Sequence, residues 1–516
     1  MVGKRDLHSP CWPIAEALAR YLKHLHKVST MDVRQAAVPS EPALYPPRVV
    51  PPARPLNLLN FLGHVVRNPL EALPEAVYRE PFFRKRTMAG EVVWVTSPPL
   101  VDEILQGTQD AFPKSKLDFD LLRPLLGKGL LTCEGDDWRW QHKIVAPLFR
   151  HQEILRYIPH MSDAAEEQLN RWRAAPDGAV QQIDDDMTSA TFQVIARTML
   201  RGADADLCPS IARDADDFLK SISWPVAYGL VGLPVWAPFP GRARMRRAVK
   251  NLRGCVAQII AQRRQVMATT PPSQAQSDAA GDPLPDEHQR AAHNDLLART
   301  MNARHPETGA TMSDRQILDS LLTFLLAGHE TTARALTWTL YLLALAPHWQ
   351  QRLYDEIRGV VGDAAITGAH LNALPELRKV IKESMRLYPP VPVMTRVPGR
   401  NIRIGTLNLK AGTLVIIPIY SVHRHHSLWH DPDRFDPERF DPGREGRFAR
   451  RQFMPFGAGP RICIGSSFAM IEATTILASL LRSARFDVAG NHHPTPVARI
   501  TLRPKGGMPL KVSLRA

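Results

Sequence analysis

The stretch Phe456-Gly457-Ala458-Gly459-Pro460-Arg461-Ile462-Cys463-Ile464-Gly465 constrains this chain more than any other. One cysteine stands in a glycine-rich loop. The apolar positions after it, Phe468, Met470, Ile471, Ile476, Leu477, Leu480 and Leu481, read as a helix. A cysteine just ahead of a helix N-terminus lies near unpaired backbone N–H groups and the positive end of the helix dipole, and both favour thiolate over thiol. The glycines let the loop pass close under a flat group, where a Cβ would collide. A buried thiolate needs a cation, yet no second Cys or His lies within a few residues, as zinc spacings require. One axial thiolate to a haem iron fits. The simpler alternative is a buried free cysteine beside a glycine turn.

The pattern Phe456-x-x-Gly459-x-Arg461-x-Cys463-x-Gly465 resembles the haem-binding signature of the cytochrome P450 family, and further motifs follow in that family's order. The resemblance implies a mainly α fold with a minor β region: a triangular helical domain around the haem and a small sheet on its N-terminal side. It implies haem b (iron protoporphyrin IX), with Cys463 as the axial ligand and with Phe456, Gly457 and Ala327 among the residues against the cofactor.

Ser313-x-x-Gln316 reads as a capping box that opens an apolar helix running to about Leu345, ahead of Pro347. Inside it lies Ala327-Gly328-His329-Glu330-Thr331-Thr332. The Thr331 hydroxyl can bond the Ala327 carbonyl four residues back and loosen the helix. Gly328 leaves room for a diatomic ligand, and Glu330 puts an acid next to the hydroxyl, a short proton relay. By resemblance to the family's distal helix, Thr331 and Glu330 are the catalytic pair that delivers protons during dioxygen activation.

Glu383-x-x-Arg386, on a helix ended by Pro389-Pro390, has spacing that puts both side chains on one face. With Pro437-Glu438-Arg439-Phe440 it looks like the family's buried network of Glu383, Arg386 and Arg439, a structural support for the cysteine loop. A buried haem carries two propionates that need cations. Trp138, His142, Arg396 and Arg461 match the family positions for them. Many relatives have arginine where His142 stands, which leaves its charge open. The histidines His423, His425, His426 and His430 could suggest a metal site, but their surroundings match a structural segment of the family.

Five scattered cysteines argue against a disulfide framework and for a reducing cytoplasm. The net charge of +14 comes without a recognised nucleic-acid motif, so nucleic acid is not an expected partner. No run of 18 apolar residues exists, so no transmembrane anchor is expected and a soluble, bacterial-type enzyme is. Residues 1–38 read as an N-terminal extension, an amphipathic helix over 13–28 and then a linker. They leave 39–516 as a single haem domain that contains a disordered loop at 270–292. Residues 91–96, 402–404 and 414–417 read as strands, 224–241 as an apolar, proline-rich loop, and Asp184-Asp185-Asp186 as a solvated helix cap.

The sequence has no dinucleotide, flavin or iron–sulfur motif. Separate redox partners are expected, a ferredoxin or flavodoxin with its NAD(P)H reductase, docking on a basic patch of Arg139, Lys143 and Arg451. Asp295-Leu296-Leu297 and His305-Pro306-Glu307-Thr308-Gly309 are similar to the haem domain of self-sufficient bacterial fatty-acid hydroxylases. Where those enzymes hold the fatty-acid carboxylate with arginine and tyrosine, alignment on Gly90 puts Glu91 and Val95. An acid there disfavours free fatty acids and favours neutral apolar substrates. Leu131, Phe324, Ala327, Val391 and Val393 are the expected pocket walls. The expectation is a monooxygenase that inserts one atom of O₂ into an apolar small molecule. The alternatives are a peroxide-driven or isomerase member of the family, or a non-catalytic haem-binding protein.

Overall fold

Residues Asp314–Leu345 form one continuous helix of 32 residues, and the rest of the chain is laid around it. Its start follows from the capping box: Ser313 Oγ accepts from Gln316 N while Gln316 Oε1 accepts from Ser313 N at 2.9 Å. Pro347 then opens the next helix, where its missing N–H costs nothing. The computed structural model describes residues 43–52, 56–87, 90–107, 111–199, 207–234, 236–269 and 295–515. The helix expected over 13–28 and the stretch 270–292 lie outside them. Residues 44–516 pack as one compact unit.

The helices that bear on the site are, in chain order, α1 (Leu58–Arg67), α2 (Pro98–Gln106), α3 (Lys116–Leu126), α4 (Gly135–Val145), α5 (Ile158–Arg173), α6 (Ile183–Met199), α7 (Leu207–Lys220), α8 (Ser223–Val231), α9 (Arg242–Thr269), α10 (Asp314–Leu345), α11 (Pro347–Val360), α12 (Pro375–Leu387) and α13 (Ser466–Ser483). The strands are β1 (Phe82–Thr87), β2 (Gly90–Val95), β3 (Val180–Gln182), β4 (Met394–Arg396), β5 (Ile402–Ile404), β6 (Leu407–Leu409), β7 (Leu414–Ile417), β8 (Ala484–Val488), β9 (Pro496–Ala498), β10 (Leu502–Pro504) and β11 (Pro509–Leu514). The fold is mainly helical with a minor β region, as expected.

The largest sheet joins early and late chain in the order β1-β2-β7-β4. β1 and β2 pair antiparallel, β2 runs parallel to β7 with Val93 opposite Val415, and β4 closes the sheet antiparallel to β7. Thr395 of β4 donates to Asp118 Oδ2 at 2.5 Å and can accept from the Ser115 hydroxyl at 3.0 Å, which pins this strand to the start of α3. Arg396 is thereby fixed beside the segment before α3. A three-stranded sheet β3-β11-β8 and the hairpins β5–β6 and β9–β10 complete the β structure.

Helix α10 is apolar nearly all round, so it has to be enclosed. It packs against α6, α12 and α13, and Leu322, Leu336, Trp338, Leu340 and Leu343 are almost completely buried. Trp338 stacks on Tyr388 with ring centroids 3.9 Å apart, and its Nε1 donates to Leu502 O. Truncating it to alanine would cost about 3–5 kcal/mol. Two segments differ from the sequence reading. Residues 223–231 are helical rather than loop, because Pro225 falls in the first turn, where no N–H partner is needed, and the helix ends only at Gly232, with φ 79°. The Asp184–Asp186 triplet lies inside the first turn of α6 and is only half-solvated: Asp184 accepts from Met508 N and Asp186 from Trp172 Nε1.

Candidate active site

The cysteine loop takes its shape from two glycines. Gly457 and Gly459 have φ of 73° and 71°, a region costly for residues with a Cβ. A Cβ on Gly459 would stand 2.0 Å from Leu105 O, so α2 and the loop touch backbone to backbone there. Cys463 N donates to Phe456 O at 2.9 Å and closes the turn, and α13 begins three residues later. The helix terminus favours the thiolate, but burial of the sulfur works against it. Burial pushes the Cys463 thiol up, and the Gly465 amide only partly offsets it. A thiolate here depends on a cation bound directly to the sulfur. Although the backbone is interior, Cys463 is open on one side, as is its neighbour Ile462.

Helix α10 shows a matching gap. Within a run of buried residues Ala327 is exposed and Thr331 half-exposed, a strip of small side chains on one face; Gly328 instead faces Ile195, whose Cδ1 a Cβ would meet at 3.0 Å, so the room expected there is taken by α6. The Thr331 hydroxyl donates to Ala327 O at 2.7 Å as the spacing predicts, yet the helix stays continuous and is not opened there. Glu330 does not meet Thr331. Its Oε1 accepts from Thr501 Oγ1 and Arg503 Nε, both at 2.7 Å, and Arg503 in turn binds Asp216. Glu330, His329, Arg334, Asp216 and Arg503 line a polar cavity of about 810 Å³ that none of Cys463, Thr331 and Ala327 reaches. The two members of the expected pair thus serve different environments one residue apart.

The expected propionate partners do converge, together with one residue that sequence reasoning missed. Lys114, Arg396, Arg461 and Glu134 line one small cleft. Burial, then repulsion from Arg461 and Arg396, pushes the half-buried Lys114 down to about 7. Burial likewise lowers Arg396, and lowers Arg461 to about 10. Three basic groups face the carboxylates of Glu134 and Asp118, so the cluster keeps a net positive charge. Arg461 lies over the Trp138 ring at 4.2 Å and donates through Nη2 to Cys133 O, while its buried Nη1 has no partner. His142 packs its ring at 4.7 Å from Trp138, and burial with Arg461 lowers its pKa, so it is neutral at pH 7 and adds no cation. Lys114 sits just ahead of the capping box Ser115/Asp118, the one local signal that could have found it. An open cysteine, a strip of small residues and a buried guanidinium short of an anion fit a flat group that carries carboxylates.

Beneath the loop, Glu383 and Arg386 are fully buried in a bidentate pair at 2.6 and 2.8 Å. Arg386 also donates to the carbonyls of His423, Pro432 and Arg434, and Glu383 accepts from Asp436 N, with Arg439 at 3.5 Å. All five N–H groups of Arg386 have acceptors, which suits a rigid support, while the buried Nε of Arg439 has no hydrogen-bond partner. His423 accepts from Met454 N and is pushed down to about 3 by burial and Arg386, a neutral structural histidine. Among the described residues no group of His, Cys, Asp and Glu is placed to hold a metal ion.

The remaining expectations fare unevenly. Leu131 is exposed, Val391 and Val393 are half-buried, and Phe324 is buried in edge contact with Phe149. Lys143 pairs with Glu307 at 2.6 Å, Arg139 with Asp136, and Arg451 with Asp102 at 2.6 Å, an acid it shares with Arg450, so the expected basic patch is partly offset by acids. Glu91 pairs with Arg84 at 3.4 Å, which offsets its charge, and Val95 is buried in the sheet.

The sequence profile of the cytochrome P450 family matches residues 51–510. Cyclooctat-9-en-7-ol 5-monooxygenase of Streptomyces melanosporofaciens is 30% identical over 439 residues, which cover 83% of this chain and 90% of that protein. Cytokinin hydroxylase of Arabidopsis thaliana is 30% identical over 430 residues, 81% of this chain and 77% of that one. The crystal structure of the cytochrome P450DA haem domain has the same fold, with a TM-score of 0.72 at 24% identity over 92% of this chain and 99% of that one. A profile match along nearly the whole length, joined to the cysteine loop and its supporting network, shows that the chain belongs to the cytochrome P450 family of haem-dependent monooxygenases.

Proposed function

We propose that the chain uses haem b to hydroxylate a neutral, apolar, terpenoid-like small molecule. Electrons come from a ferredoxin or flavodoxin with its NAD(P)H reductase in the cytoplasm. The cationic cluster of Lys114, Arg396 and Arg461, with Arg461 only two residues from an open Cys463, carries this reading, because these residues would bind the carboxylates of a haem and Cys463 would supply a thiolate to its iron. When bound, the haem supplies a redox-active iron at which dioxygen is cleaved and one oxygen atom passes to carbon. Cys463 would hold it from the loop, and Arg461, Arg396, Lys114 and Trp138 would hold its carboxylates. Ala327 leaves space on α10, where the Thr331 hydroxyl can release or accept a proton.

Protons come from the polar cavity through Glu330, which has to leave Arg503 to approach Thr331. Leu131, Val391 and Val393 offer apolar contact and no cation for a carboxylate. The relative named for cyclooctat-9-en-7-ol points the same way.

The test is a titration of the ferric protein with neutral terpenoids, small aromatics and long-chain fatty acids, read from the haem absorption band. It is followed by turnover with surrogate ferredoxin and reductase. Response to neutral ligands and NAD(P)H-dependent product support the reading. Response to fatty acids alone, or turnover only with peroxide, would sink it.

A further inference from the structure

The polar cavity beside Glu330 carries more cations than its acids serve. Asp184, Asp185 and Asp216 come to it from α6 and α7, and residues 496–505 supply Arg499, Arg503 and Lys505. Asp216 binds Lys220 at 2.6 Å and Arg503 at 2.7 Å, and Glu330 binds Arg503 as well. Arg67 pairs with Glu71, and Asp184 stands 3.9 Å from Arg334. Arg499 and Lys505 have no acidic partner among the described residues.

The β9–β10 hairpin is built to present these cations. Leu502 and Ala498 face each other in the core, so the next pair in register, Arg503 and Val497, turns to the cavity, with Lys505 two positions on. Arg499 is fixed at the turn: its N donates to Thr501 O at 2.9 Å, and its Nη1 to Arg67 O at 2.9 Å and Ala498 O at 3.2 Å. Among the described residues no side-chain acceptor reaches that guanidinium. Burial, and then Arg503, hold it below its ordinary value, and they do the same to Arg334. A partly buried cation without a counter-charge has lost hydration that an anion from outside the chain would offset.

We propose that this hairpin wall is a binding site for a small dianion, a phosphate monoester or a dicarboxylate, with Arg499, Arg503 and Lys505 as its ligands. Arg499 and Lys505 both lack a counter-charge, which calls for a dianion rather than a monoanion. Guanidinium forks match the paired oxygens of phosphate and carboxylate. The cavity, about 810 Å³, is of the size that takes small molecules. Asp184 and Asp185 keep the anion away from α6. Because Arg503 also holds Glu330, the ligand and Glu330 compete for it. The site stands apart from Cys463, Thr331 and Ala327, and it is independent of what the enzyme oxidises.

The test is titration calorimetry of the full-length ferric holoprotein with glycerol 3-phosphate, succinate and acetate at neutral pH and constant ionic strength. Saturable binding of glycerol 3-phosphate or succinate is expected, and the tighter of the two names the source. Acetate should bind at least about tenfold more weakly. Arg499→Gln and Lys505→Gln should each weaken the dianion about tenfold or more. Glu330→Gln, which frees Arg503, should tighten it by about tenfold. Arg485→Gln, paired with Asp487 and outside the cavity, should leave it unchanged. Unaltered haem spectra confirm that each variant is folded. No binding of either dianion overturns the proposal. So does acetate binding as tight as theirs, or dianion binding that neither Arg499→Gln nor Lys505→Gln weakens.

Discussion

The Glu330 carboxylate is bound by the Arg503 guanidinium at 2.7 Å, across 173 positions of sequence, while the adjacent Thr331 hydroxyl turns to its own helix. The acid is therefore held in an ion pair at the polar cavity, and the proposed approach to Thr331 would require that pair to open. Glu330 is almost fully buried, so removal of Arg503 leaves an uncompensated carboxylate. Arg503→Gln should destabilise the protein by about 3 kcal/mol. The double variant Glu330→Gln/Arg503→Gln should cost clearly less than the sum of the singles. Chemical denaturation of all four proteins measures this, and additive losses would remove the pair.

Thr331→Ala deletes the hydroxyl without disturbing a helix that is already continuous. Electron consumption should persist while product formed per NAD(P)H falls by about tenfold or more. Thr331→Ser, which keeps the oxygen, should retain most of the coupling. Equal coupling in all three proteins would take the proton role from this residue.

How far the site could be read in advance depended on sequence distance. Cys463, Glu383 with Arg386, and the Ser313 cap were legible because each is fixed by spacing of three to ten residues that a loop or helix turn imposes. The cluster around Arg461 was only half legible, since Lys114 reaches it through the Thr395–Asp118 bond between β4 and α3. Glu330 was identified but its surroundings were not, because Thr501 and Arg503 arrive on a distant hairpin. The ion pairs at the basic patch were hidden for the same reason: Asp102 and Glu307, which pair with Arg451 and Lys143, lie far from them in the chain.

Gly459→Ala should be far more damaging than most glycine replacements. The new Cβ meets a backbone oxygen, which has no rotamer to escape into, and φ is already in the left-handed region. Haem incorporation on expression should fall steeply, while Gly443→Ala, with no close neighbour in its way, should keep it. Equal haem content in the two variants would mean that α2 and the loop separate without cost.

Lys114 links haem binding to pH. In the haem-free chain its folded pKa is depressed to about 7, below the ordinary lysine value, so between about pH 7 and 10 the unfolded chain binds more protons. Stability of the haem-free protein should therefore rise with pH through that window, relative to a Lys114→Gln variant. Carboxylates placed beside the ammonium raise its folded pKa and should flatten the difference in the holoprotein. Denaturation curves at pH 7, 8 and 9 for both proteins, with and without haem, test it. The same slope in both haem states would detach Lys114 from the cofactor edge.

Glu472 gives the opposite slope for the same physical reason. It lies buried on α13, hydrogen-bonded to Thr332 of α10, and its Oε1 has no partner. Burial pushes the carboxyl up to about 8, so at neutral pH the folded state keeps a proton that the unfolded state releases. Protons bound by the folded state exceed those of the unfolded state between about pH 4.5 and 8, and stability falls as pH rises through that range. The penalty at pH 7 is on the order of 3 kcal/mol. Glu472→Gln preserves shape and hydrogen-bonding capacity and carries no proton to lose. It should match the wild type near pH 5 and exceed it in stability at pH 8. Parallel stability curves for the two proteins from pH 5 to 8 would show that the buried acid has found a cation or solvent, and that α10 and α13 are less tightly joined than this contact implies.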